Sequence, residues 1–357
     1  MFEGGHASSC EPVCSRIVLA GVGRDGASIV NRLGGLPRAV RKLFLTASPP
    51  QAVSQSPELL RIRGDAGRCD ELKAAVADAQ MLVAVATVIG REGALMPELV
   101  ELARRQGALA VAVLVEPLLA GAPHRADAAA RTVAAVTRAA DATIVVPADV
   151  RPSASLSICE AIKGWTERLY SSVGGLLATA AAEDAMNLHM ADIAATLSKH
   201  CRASVGVGSG RTVGEALRDA AANSLAPPAE LETTRSIIAH VIGGGDMPLD
   251  EARRTVSELE MLFPKADVCC GVSIHANVTQ IRATIIAGKL DAGAARPRAK
   301  KRTAQAESPF FKVGDPTVYD GEHLDVPAFV REDVALPGAP PRPVPAQTTL
   351  FDCAGRS

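Results

Sequence analysis

The chain has 357 residues, 48% of them apolar and 22% charged, enough to bury the cores of about two domains at roughly 100–200 residues each. Lys and Arg total 38 against 39 Asp and Glu, a formal charge of −1. That balance excludes a nucleic-acid binder held by bulk positive charge, and equally an acidic disordered chain. No apolar run reaches the roughly 18 residues that span a bilayer. MFEGGHASSCEPVCS at the N-terminus lacks the basic-then-apolar pattern of a secretory signal, so a cytoplasmic location is expected. The eight cysteines form no C-x-x-C pair and have no His cluster beside them, which predicts reduced thiols and no metal site.

Residues 1–15 read as a flexible lead. RIVLAGVG (16–23) is an apolar strand entering a glycine turn, and ASIVNRLGGL then has helical spacing, with Ile29, Val30 and Leu33 on one face. Next come a strand at 42–48, a helix at 71–79, a strand at 81–89 and a helix at 97–106 with Pro97 in its first turn. A strand at 108–117, a helix at 125–140 and a strand at 142–149 follow. Continuous apolar strands alternating with helices predict a parallel sheet covered on both faces. A long helix from about Leu156 to Tyr170 and a second Ala-rich segment lead into 186–195. Residues 200–290 change character. Strands at 204–211, 235–244, 267–276 and 280–288 and helices at 212–224 and 249–263 predict a mixed sheet in an α+β unit. Residues 291–357 hold nine of the 23 prolines and five of the ten aromatic residues, with the basic cluster RPRAKKR at 296–302, and read as a disordered tail.

GVGRDG (21–26) fits G-x-G-x-x-G, follows a strand and opens a helix. Gly21, Gly23 and Gly26 are therefore candidates for a loop that cradles phosphate with backbone N–H groups. A dinucleotide fingerprint would also need an acid at the end of the second strand for the ribose hydroxyls. That strand ends Thr46-Ala47-Ser48-Pro49, so a nicotinamide-dependent oxidoreductase is the lowest of the readings.

Several segments in order resemble FtsZ, the bacterial tubulin homologue, over about residues 16–290. IVLAGVGRDGASIVNRL is similar to the first nucleotide loop and helix of that family. GALAVAVLVEP and ATIVVPAD resemble two of its strands, and AIKGWTERL (161–169) its central helix. MNLHMADIAATL (186–197) resembles the catalytic loop and GSGRTVGEALRDAAANSL (208–225) the helix after it. The resemblance implies an α/β tubulin/FtsZ fold: a Rossmann-like parallel-sheet GTPase domain (16–155), a central helix with the catalytic-type loop (156–199), an α+β C-terminal domain (200–290) and the tail. It implies GTP as cofactor, through Gly21, Gly23, Gly26, Gly90 and Gly93. It implies Asn187, His189 and Asp192 as the catalytic positions. HLDVPAFVRED (323–333) resembles the C-terminal peptide that docks on membrane-tethering division proteins, with Leu324, Val326, Pro327, Phe329 and Arg331 as its contacts.

The motifs depart from the family pattern at the expected nucleotide. The glycine-rich signature is reduced to Val88-Ile89-Gly90-Arg91-Glu92-Gly93-Ala94, with Glu92 where a triphosphate would lie. Like charges about 4 Å apart cost about 4 kcal/mol at an effective dielectric of 20. Arg24 and Asp25 replace small residues, Ser28 replaces an Asn, and the family's two base- and ribose-reading acids align near Leu156 and Ala130. Arg24, Asp25, Arg91 and Glu92 are expected to pair across the pocket and fill it. In N-x-D-x-x-D the first acid is His189, while Asp192 remains. The expectation is an FtsZ-like division protein with weak or lost GTP binding and hydrolysis. It would act at the division site through contacts with FtsZ filaments or division partners. The alternative is an active, polymerising GTPase.

Overall fold

The computed structural model describes residues 17–289, except 55, 57–58, 62–67, 90–94, 117–122, 148–156, 183–184, 198–201, 227–230 and 232–233, together with two short strands near the C-terminus. Its strands are β1 (Ile17–Val22), β2 (Val40–Thr46), β3 (Leu59–Arg61), β4 (Met81–Thr87), β5 (Leu109–Val115), β6 (Ala142–Val146), β7 (Arg202–Gly210), β8 (Ser236–Gly243), β9 (Asp267–Ile274) and β10 (Ile281–Lys289). Its helices are α1 (Gly23–Arg32), α2 (Arg68–Val76), α3 (Leu95–Arg105), α4 (Pro123–Ala139), α5 (Ile158–Ala180), α6 (Met190–Leu197), α7 (Val213–Ala222) and α8 (Leu249–Leu262).

The ten strands make one sheet in the order β3-β2-β1-β4-β5-β6-β7-β10-β8-β9. Neighbours are parallel as far as β7. β10 then runs antiparallel to both β7 and β8, and β8 pairs parallel with β9. The first six strands have the doubly wound order, and their alternating side chains feed two cores. Ile17 and Leu19 face one way and pack with residues of α1, α5 and α6, whereas Val18 and Ala20 face the other way and pack with α2, α3 and α4. A third cluster joins α7 and α8 to β8, β9 and β10. The predicted α/β architecture with a mixed sheet at its C-terminal side is present.

Three local differences have physical causes. The helix expected at 156–170 continues as a single 23-residue helix, through Gly174 and Gly175. Gly175 is there for contact: a Cβ on it would lie 2.5 Å from Val207 Cγ2. β3 was not expected. It is a three-residue edge strand, too short to show a periodicity. Within the tail, Val318–Tyr319 pairs antiparallel with Glu322–His323. Leu324, Val326, Pro327, Phe329 and Arg331 lie outside the described residues.

Two basic residues in succession on β2 close helix ends on opposite faces of the sheet. Lys42 Nζ donates to the Leu33 and Asn31 carbonyls at the end of α1, at 2.7 and 3.3 Å, and Arg41 donates to the Ala75 carbonyl at the end of α2. Between α3 and β6 lies an ion pair that is mostly out of water: Arg104 Nε stands 3.2 Å from Asp141 Oδ1, with the acid side chain 5% exposed. Ala110 N–H donates to the other carboxylate oxygen at 3.0 Å. Removing one member of such a pair strands the other charge. Asp141→Ala is expected to lower the free energy of unfolding by about 3 kcal/mol in urea titrations.

Candidate functional site

The glycine turn is built by backbone contact. A Cβ on Gly21 would stand 2.6 Å from the Gly26 carbonyl oxygen, and one on Gly26 would stand 2.4 Å from the Val85 carbonyl oxygen. Gly23 has φ +79°, where a side chain is strained. Together these residues lay α1 directly on β1 and β4 and put its first turn at the C-terminal end of β1. Val22 precedes that turn and offers no side-chain cap, so the orphan N–H groups stay available, as a phosphate-binding turn requires. The side chains of the same turn do not suit a triphosphate. Arg24 and Asp25 are both exposed, and among the described residues neither makes an ion pair or a side-chain hydrogen bond. Asp25 places a carboxylate in the first turn, where it already answers the positive end of the helix. The backbone fits the expected nucleotide, while the turn adds the Asp25 carboxylate beside the cationic Arg24.

The remaining predicted nucleotide residues are scattered or lie outside the description. Gly90, Arg91, Glu92, Gly93 and Leu156 lie outside the described residues, so the four-charge filling of the pocket rests on sequence alone. Ser28 is half-buried on α1, and Ala130 is exposed on α4. At the end of β2, Thr46 is buried and its hydroxyl accepts from Ser48 N–H at 3.2 Å. The residues that follow, Ala47-Ser48-Pro49, include no acid. The central helix α5 opens with a capping box, in which Ser157 accepts from Glu160 N–H and Glu160 reaches back to Ser157 N–H at 2.8 Å. These hydrogen bonds, first that from the Ser157 hydroxyl, hold the Glu160 carboxyl below its ordinary pKa. The single tryptophan, Trp165, donates from Nε1 to the Pro147 carbonyl just past β6, at 3.0 Å.

The catalytic-type loop is held by a strand some eighty residues away. Met186 and Val272 of β9 exchange backbone hydrogen bonds of 2.9 and 3.2 Å. Leu188 is buried so tightly over β9 that a Cβ on Gly271 would come within 2.4 Å of its Cβ. Between them the exposed Asn187 takes φ +63°, the only non-glycine residue with positive φ among those described. His189 N–H donates to Asp192 Oδ2 at 2.9 Å. The retained acid thus caps α6, while the His189 imidazole is exposed. Asn187, His189 and Asp192 lie in and just after one turn. Sequence reasoning missed the supporting strand. Its signal was Gly271 inside DVCCGVSI, since an isolated glycine in a strand marks a close approach. Behind the loop, burial, the Asp192 carboxylate and Cys270 push the Cys269 thiol pKa up.

The two candidate regions lie at opposite ends of one strand. The loop borders a cavity of about 260 Å³ whose walls include Ile17, the first residue of β1, with Gln80, Ala180, Ala182, Leu188 and His189. The glycine turn follows the last residue of β1, and six residues at about 3.3 Å each separate the two by roughly 20 Å.

No family model matches the chain. Two curated relatives named cell division protein FtsZ 1 are similar to it. That of Halobacterium salinarum is 27% identical over 223 residues, covering 60% of this chain and 56% of the relative. That of Methanocaldococcus jannaschii is 26% identical over 218 residues, covering 58% and 59%. The matched part thus spans a little over half the length of these relatives. Among solved structures, an empty FtsZ dimer of M. jannaschii aligns with TM-score 0.63 at 21% identity, over 77% of this chain and 88% of that one. A GTPγS-bound protofilament of CetZ2 from Haloferax volcanii aligns at 0.61 with 18% identity, over 78% and 94%. The chain is FtsZ-like in sequence and has the tubulin/FtsZ fold.

Two predictions test how this FtsZ-like chain holds its sites. Asn187→Gly is expected to leave the melting temperature unchanged, whereas Asn187→Val, forced into the left-handed region, should cost about 1–2 kcal/mol by calorimetry. The Glu160 contribution to stability is fully present above the ordinary carboxyl pKa and is lost as pH falls through the lowered one. Ser157→Ala is expected to raise the Glu160 pKa toward its ordinary value in an NMR titration.

Proposed function

We propose that this chain is a cytoplasmic FtsZ-type division subunit with weak or absent GTP binding and hydrolysis, acting through contacts with FtsZ filaments or division partners. The observation that carries this reading is the contrast between the two ends of β1. At one end the 186–192 loop is pinned by β9, by the buried Leu188 and by the Asp192 cap. At the other, the turn that should receive a triphosphate presents an exposed Asp25. Subunits that stack through unlike faces make heterologous, head-to-tail contacts, and here one face is altered far more than the other. The loop face would dock on the nucleotide face of a conventional FtsZ subunit. The 323–333 segment would engage a membrane-tethering partner through Leu324, Val326 and Phe329.

Hydrolysis depends on charge placement around the γ-phosphate. His189 in place of an acid, and an Asp192 engaged as a helix cap, give little of that placement. A second reading, an active GTPase, is favoured by the unblocked N–H groups of α1 and the retained Gly21, Gly23 and Gly26. Sedimentation with a conventional FtsZ and GTP tests the first reading. The chain is expected in the pellet and to change filament mass at less than one copy per FtsZ subunit, while releasing no phosphate by itself. Phosphate release by the chain alone would support the second reading. Unchanged filament mass with the chain left in the supernatant would contradict the docking claim.

A further inference from the structure

β1 begins in the wall of a cavity. Ile17 lines it, and the Ile17 N–H donates at 3.1 Å to the carbonyl of Ala39, a second lining residue. The parallel register pairs Ile17 with Val40 on one side and Met81 on the other. The same register carried one residue back is Ala39 and Gln80, and both are in the wall. The chain that leads into β1 therefore sets out from this cavity. The rest of the wall is Ala180, Ala181 and Ala182 at the end of α5, with Leu188, His189 and Met190 of the catalytic-type loop. An apolar cavity of roughly 150 Å³ takes a benzene-sized group, and this one is about 260 Å³.

Residues 12–16 lie outside the described residues, and their sequence suits this cavity. Pro12, Val13 and Cys14 are small and apolar. Four residues span at most about 14 Å, so Val13 has the reach to turn back from Ile17 to the loop. Pro12 limits the freedom that seating must remove. The charges agree as well. Asp78 stands two residues before Gln80, Glu183 and Asp184 follow Ala182, and Arg38 precedes Ala39, three acids against one fixed cation beside the lining residues. The C-terminal end of α5 adds the negative end of its peptide dipoles. Arg16, next to Ile17, is the single charge of residues 12–16 and has the matching sign. We propose that residues 12–16 fold back as a strap over the cavity, with Val13 inside it and Arg16 against Glu183 and Asp184, and so cover Leu188, His189 and Met190. The seating itself needs no partner. Its consequence, that the strap and a filament subunit compete for the same loop, rests on the docking reading above.

The test is thiol labelling of the full chain carrying Val13→Cys and Cys14→Ser, a pair that keeps residue 13 small and apolar. Iodoacetamide labelling at position 13 is compared by mass spectrometry with labelling at Cys10 of the same molecule, and the ratio in urea sets the unprotected value. A strap seated nine parts in ten leaves position 13 open one part in ten, so it is expected to label at least about tenfold more slowly than in urea. Adding Arg16→Glu, which sets a carboxylate against the acids, or Ala182→Phe, which fills the cavity, should each restore the urea ratio to within about twofold. With the native cysteines, Val13→Glu should speed hydrogen exchange of the 188–190 amides. Trp165 fluorescence checks that each variant is folded. A position 13 that labels as in urea, together with loop exchange that Val13→Glu leaves unchanged, overturns the inference. So does protection that neither Arg16→Glu nor Ala182→Phe relieves. Co-pelleting on conventional FtsZ separates the two readings. Val13→Glu is expected to pellet more than the wild type. Relieved protection with unchanged pelleting leaves the strap standing and contradicts competition for the loop, whereas an unprotected position 13 in a chain that still pellets removes the strap alone.

Discussion

The structure depends on a backbone contact between a helix and the sheet beneath it. Gly21 and Gly26 let α1 touch β1 and β4 with no side chain between, and any Cβ there would fall within van der Waals distance of a carbonyl oxygen. The same device recurs where α7 lies on β7: Cβ atoms on Gly206 and Gly208 would come within 2.1 Å of the Ala220 backbone. Such contacts have no tolerance for size, because packed interiors do not deform to admit an extra methyl group. They fix where each helix begins, and for α1 the beginning is the functional end. A glycine pattern read as a nucleotide signature is thus fully accounted for by packing and by one left-handed residue. It can persist in a chain whose nucleotide chemistry has changed.

That separation of scaffold from charge explains the molecule's asymmetry. The backbone of the first turn still offers N–H groups to an anion, while Asp25 supplies a covalently attached one. The loop at the other end of β1 shows the reverse pattern. Its side chains have diverged, with His189 for an acid, but its backbone is held at several points by β9 and by its own cap. Recognition needs shape and register, whereas phosphoryl transfer needs charge at defined places.

Much of the fold was legible because its strands are buried on both faces. MLVAVAT and LAVAVLV are continuous apolar runs, and β4 and β5 are buried almost throughout. Elements were missed where local signals mislead or vanish. The helix expected to end near Tyr170 runs on through Gly174 and Gly175, where packing of Gly175 against Val207 outweighs glycine's poor helix propensity. β3 has three residues and no period to detect. The turn that carries Asn187, His189 and Asp192 was readable from their spacing, but not what holds it. Gly271 and Val272 lie far away in sequence, and only β9's place at the sheet edge brings them to Met186 and Leu188. Asn187 has a readable cause: asparagine is among the few residues that enter the left-handed region at low cost.

The central claim concerns charge at one helix terminus, so the most direct measurement is equilibrium binding of GTP to the purified, nucleotide-free chain by titration calorimetry. A micromolar affinity is worth about 8 kcal/mol, and a resident carboxylate in the first turn of α1 competes with an arriving triphosphate for the same N–H groups. The account predicts no heat of binding for GTP at micromolar concentrations, and a measurable affinity only after Asp25→Gly. Micromolar binding by the unaltered chain, unchanged by that substitution, would contradict it.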